Sequence, residues 1–167
     1  MNRRLLVLAL LFAVTGCVAP ARSSRVVAEV AAPAHPPLRA TVAVGTVTTP
    51  ELKPPVHSAV DSGELRQAVE LSLQRSGYLR ANPDAATMLL AVAPISLENA
   101  DIGITVTSRI RYTATSRASG APLFNEVVVV ECSRYAFSAG ERLQHSTECS
   151  VRKNIETQKA LLLQVTE

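Results

Sequence analysis

The chain has 167 residues, of which 47% are hydrophobic, 19% charged and 4% aromatic. That balance is globular rather than disordered, and the length suits one folded domain. The formal net charge is only +3, and its basic residues are scattered along the chain. Polyanion binding needs a concentrated basic stripe, so nucleic acid is not an expected partner.

Residues Asn2 to Arg4 make a short positive start, and Leu5 to Val14 is an apolar run. A membrane-spanning helix needs roughly 20 apolar residues, so this run is too short to remain as an anchor. A positive start, a short apolar core and small residues before a cut describe a secretory signal over 1–16. Its loss removes Arg3 and Arg4, leaving 15 Lys+Arg against 14 Asp+Glu. Val14-Thr15-Gly16-Cys17 resembles the bacterial lipobox. That resemblance implies cleavage between Gly16 and Cys17 and acylation of the Cys17 thiol, with palmitate among the attached chains. Each buried CH₂ contributes about 0.8 kcal/mol, so two or three chains hold a protein firmly at a membrane. Val18 stands where Asp would signal inner-membrane retention, so the resemblance implies an outer-membrane address facing the periplasm.

From Val18 to Leu38 the chain is rich in Ala and Pro, with Pro20, Pro33, Pro36 and Pro37. Proline there opposes helix and central strand alike, so residues 17–38 are expected to form a lipidated tether, reaching at most about 60 Å. The folded domain is expected over 39–167. Ala40, Val42 and Val44 alternate as a first strand. Asp61 and Glu64 are spaced as a capping box for a helix whose buried line is Leu65, Ala68, Val69, Ser72, Leu73 and Ser76, ended by Gly77. Thr87 to Leu97 is apolar on both faces, and Pro94 marks an edge or a bulge.

The next strand is the clearest: Ile102, Ile104, Val106, Ile110, Tyr112 and Ala114 alternate with polar residues. Ser119-Gly120 turns the chain, and Leu123 to Cys132 returns as its partner. From Ser138 the period is helical, with Leu143, Thr147, Val151, Ile155, Gln158, Leu162 and Val165 in one arc. These stripes predict an α+β two-layer sandwich in the order β-α-β-β-β-α. Its sheet has four mostly antiparallel strands, with two helices on one face.

Leu65-Arg66-Gln67-Ala68-Val69, Arg109-Ile110-Arg111-Tyr112, Gly120, Leu123-Phe124, Glu141-Arg142-Leu143 and Val151-Arg152-Lys153-Asn154-Ile155 complete a second likeness. Together with the lipobox they resemble a group of uncharacterised small lipoproteins of Gram-negative bacteria. Some of that group carry the label UDP-N-acetylglucosamine acyltransferase. Enzymes of that name build a left-handed parallel β-helix from hexapeptide repeats, and no such repeat occurs here. The chain departs from the group at Cys132 and Cys149, where the group has a polar residue and a glycine.

Cys132 and Cys149 are the thiols left once Cys17 is acylated, and an exported compartment permits a disulfide. Cys132 shares the alternate set of Val128 and Val130. Cys149 lies about 160° from Val151 and about 120° from Ile155 on an ideal helix, toward solvent. A bridge, two free thiols and an intermolecular bond through Cys149 all remain open. His35, His57 and His145 lack metal-ligand spacing, and no metal is expected. Glu98 and Asp101 flank a strand turn, where paired carboxylates are usually solvating. Arg109 and Arg111 on the wet face offer charge for an anionic headgroup or glycan, but are rather expected to pair with Glu126 or Glu131 on the neighbouring strand. No catalytic motif is found, so no catalytic residue and no cofactor beyond the lipid on Cys17 are expected. Leu161 and Leu163 widen the last helix's apolar face, to be covered in part by loops or, alternatively, to serve as a docking surface for an envelope protein. The expected function is that of a non-enzymatic binding or assembly module. The alternatives are an enzyme acting on an envelope lipid, glycan or peptidoglycan, or a purely structural lipoprotein.

Overall fold

The structure, a computed structural model, describes residues 22–28, 38–49, 60–99 and 105–165. The signal segment and the lipobox, with Gly16 and Cys17, lie outside them, as do His35, His57 and Asp101. The elements in chain order are α1 (Ser23–Val26), β1 (Val42–Val47), α2 (Ser62–Arg75), β2 (Met88–Asn99), β3 (Thr105–Ser116), β4 (Pro122–Ser133) and α3 (Ala139–Gln164). The four strands form one sheet in sequence order. β1 runs parallel to β2, while β2–β3 and β3–β4 are antiparallel. The sandwich is α+β and mostly antiparallel as its stripes predict, and α1 is an added turn ahead of the expected order.

Alternation places Val106, Ser108, Ile110, Tyr112 and Ala114 of β3 on the covered face. β2 reads as apolar on both faces for a specific reason. Its register shifts between Pro94 and Ser96. The inward set therefore changes parity, from Met88, Leu90 and Val92 to Leu97. Pro94 also lies past the end of β1, whose pairing stops at Val92, so its missing N–H deprives no partner there.

The Asp61 side chain caps α2 by accepting from the Gly63 N–H. Glu64 does not close the expected box. Its carboxylate accepts instead from the Ser23 N–H at 2.6 Å. α2 ends with Gly77 at φ +79°, its N–H donating to Gln74 and that of Tyr78 to Leu73, a Schellman closure that favours glycine. The complete capping box belongs to α3, between Ser138 and Glu141.

Residues 22–28, expected to be tether, are part of the domain. Val26, Val27 and Ala28 are buried in the core cluster, between α2 and α3. None of the four prolines that suggested a linker falls within this stretch. Burying a valine contributes roughly 1.5–3 kcal/mol. The Ala28 N–H donates to Ser72 Oγ at 2.9 Å, fixing the segment's end to α2.

The same segment explains Cys149. The ideal-helix reading points it at solvent, yet it is 2% exposed, beside Val27 on the flank that residues 22–28 cover. Its sulfur is bonded to that of Cys132, with Cα atoms 5.9 Å apart.

Candidate functional site

The residues singled out from the sequence do not converge. Glu98 sits on β2 and bonds Arg109 of β3 at 2.5 Å and Ser96 at 2.9 Å. The Arg109 guanidinium beside Glu98, helped by the Ser96 hydroxyl, holds its carboxyl below the usual value. The expected pairing of Arg109 and Arg111 with β4 carboxylates fails by register. Glu126 stands opposite Tyr112, and so shares the other face, while Glu131 stands opposite Thr107 and bonds it. Leu161 packs against the core, and Leu163 is 42% exposed, so the two do not form one patch. Among the described residues no group of three or more His, Cys, Asp and Glu could hold a metal, and no helix is long and apolar enough to cross a membrane.

Polar chemistry is also buried under α3. Ser150 Oγ bonds Ser108 Oγ and donates to the Val130 carbonyl, both at 2.8 Å. Asn154 Nδ2 donates to the carbonyls of Val128 at 2.9 Å and Ser108 at 3.2 Å. These bonds seat the helix on strand backbone. The phenol of Tyr112, wholly buried, is pushed well above its ordinary pKa by desolvation. Burial likewise lowers the Lys159 ammonium, against the pull of Glu156, while its Nζ donates to Ser76 Oγ.

The feature with the most chemistry is a cleft of about 460 Å³ at one end of the helical layer. Four arginines from four segments meet there. Arg25 comes from α1, Arg75 from the last turn of α2, Arg134 from the loop after β4 and Arg152 from α3. Against them stands one carboxylate, Glu148, so the lining arginines exceed it by three. Glu148 is buried and engaged. It pairs with Arg25 at 3.7 Å, and its Oε1 accepts from Gln144 at 3.1 Å and the Arg22 N–H at 3.4 Å. His145 Nε2 lies 3.3 Å from Arg25 Nη1, and the Cys149 sulfur is committed to Cys132. Tyr135 stands in the wall with 82% of its surface exposed, and Phe137, two residues on, is fully exposed.

Sequence reading missed this cleft because its arginines are scattered along the chain and gather only in space. The one legible signal is the spacing of His145, Glu148 and Arg152, which puts three polar groups along one stripe of α3.

The architecture defines the class: a two-layer α+β sandwich whose helices cover one sheet face, with an arginine-rich cleft at one end. It is similar in fold to a Xanthomonas campestris protein of the DUF330 family, at 11% identity, over 84% of this chain and 91% of that one, with a TM-score of 0.55. A Chlamydia trachomatis protein aligns at 10% identity over 72% of this chain and 95% of its own, with a TM-score of 0.53. A candidate lipoprotein of Caulobacter crescentus aligns at 12% identity over 74% and 88%, with a TM-score of 0.47. At such identities the likeness to the Xanthomonas and Chlamydia proteins is one of fold alone. No family model matches the sequence, and no curated protein matches it.

Proposed function

We propose that this chain is a lipoprotein of the outer membrane, facing the periplasm, whose domain is a non-enzymatic binding or assembly module. The anchor rests on the lipobox likeness at Cys17. The binding role rests on the composition of the cleft. Its positive groups outnumber its carboxylate, and the groups that would start a covalent step are already engaged. Glu148 is held by three donors, His145 lies against Arg25, and Cys149 is in a disulfide. Such a site is arranged to hold an anion rather than to move a proton.

Metabolic labelling with a palmitate analogue tests the anchor. Label is expected on the wild-type chain and absent from Cys17→Ser. Equal labelling of both chains would refute it. Crosslinking in intact cells tests the module, with an envelope protein the expected partner. Turnover of an envelope lipid or glycan by the purified protein would replace binding with catalysis.

A further inference from the structure

The docking of residues 22–28 shortens the leash. Cys17 precedes Arg22 by only five positions, a covalent reach of at most about 18 Å. If Cys17 carries the acyl chains, as proposed above, the end of the domain holding Arg25 cannot move far from the bilayer. That end is the one with the arginine cleft, whose wall carries the exposed Tyr135.

We infer that the arginine cleft binds the phosphate-bearing headgroup of an anionic phospholipid in the membrane that holds the anchor. Charge complementarity is the first support. Arg25 is partly neutralised by Glu148, but Arg75, Arg134 and Arg152 have no carboxylate partner among the described residues. Guanidinium groups offer phosphate a fork of N–H donors. The volume lies within the range of small-ligand pockets. The second support is exposed aromatic surface: Tyr135 in the cleft wall, and Phe137 two positions further along the same loop. Solvated tyrosine and phenylalanine match the chemistry of the water–lipid boundary, where amphipathic rings sit at headgroup level. A soluble phosphate would need the arginines but not the exposed rings or the nearby anchor.

The test separates the cleft from the acyl chains. The mature chain carrying Cys17→Ser is mixed with vesicles of phosphatidylcholine alone, and with vesicles of equal parts phosphatidylcholine and phosphatidylglycerol. Binding is expected to favour the anionic vesicles by about tenfold or more and to weaken with added salt. Arg134→Gln and Arg152→Gln should each reduce that affinity by about fivefold. Arg117→Gln, which alters an exposed arginine paired with Asp84 outside the cleft, should leave it unchanged. Tyr135→Ser combined with Phe137→Ser should reduce binding to both vesicle types. Circular dichroism establishes that each variant is folded. Equal affinity for the two vesicles, or full affinity in the folded Arg134→Gln/Arg152→Gln double variant, would overturn the proposal. Saturable binding of inorganic phosphate or glycerol phosphate without any vesicle preference would assign the cleft to a soluble anion instead. Palmitate labelling of the wild-type chain is scored separately. Absent label with an intact vesicle preference removes the anchor and keeps the headgroup site, whereas the reverse removes only the site.

Discussion

The two long helices lie on the same face of one sheet but are held there differently. α2 buries hydrocarbon: Leu65, Ala68, Val69 and Leu73 are each at most 1% exposed. α3 buries a mixture, with Ser146, Thr147, Ser150, Asn154 and Gln158 as fully covered as Val151 and Ile155. Small hydroxyls at Ser108 and Ser150 let helix and strand approach closely, and Asn154 bonds two strand carbonyls directly. A buried leucine contributes roughly 1.5–3 kcal/mol, whereas a buried hydrogen bond nets about 0.5–1.5 kcal/mol. The polar half thus gains less from each side chain, and a disulfide reinforces it. One sheet thus holds one helix by volume and the next by directed bonds and a covalent strut.

Three variants test that difference. The largest effect is expected at the apolar half. Leu73→Ala should lower unfolding free energy by about 4 kcal/mol in denaturant titration, from lost transfer energy and the cavity left behind. A loss under half that size would mean that α2 is not held by volume. Replacing both cysteines, Cys132→Ser with Cys149→Ser, should cost about 3 kcal/mol, as expected for a bond closing a 17-residue separation. An unchanged denaturation midpoint would show the hydrogen bonds holding α3 unaided. The smallest effect has the opposite sign. Both polar atoms of the Gln158 amide are buried without a hydrogen-bond partner among the described residues. Gln158→Met keeps much of the volume and removes that desolvated amide, so thermal unfolding should show a gain of about 1 kcal/mol. A loss of stability would mean that Gln158 makes an interaction that methionine cannot replace.

The same contrast explains what could be read from the chain. Period alone located α2, its buried line and its Gly77 stop, because apolar residues and cap chemistry agree there. The alternation of Val106, Ile110, Tyr112 and Ala114 likewise gave β3 and its covered face. Ser150 and Asn154 were not legible as core. A serine or asparagine on a helix reads as solvent-facing until the strand carbonyls that receive it are known. Cap spacing assigns Glu64 to the nearest amide along the chain, whereas its partner is Ser23, 41 positions earlier. Residues 22–28 were hidden by flanking prolines, which mark a linker only where they fall. The arginine cleft depends on all of these placements at once: α1 must dock, and the loop after β4 must end beside α3. No local pattern encodes that convergence.

Cys149 is both half of the disulfide and part of the cleft wall, which makes bond and cavity thermodynamically reciprocal. A ligand that prefers the bonded wall must, by the same factor, make that bond harder to reduce. For such a ligand, occupancy of the cleft is readable as a lowered reduction potential of that sulfur pair.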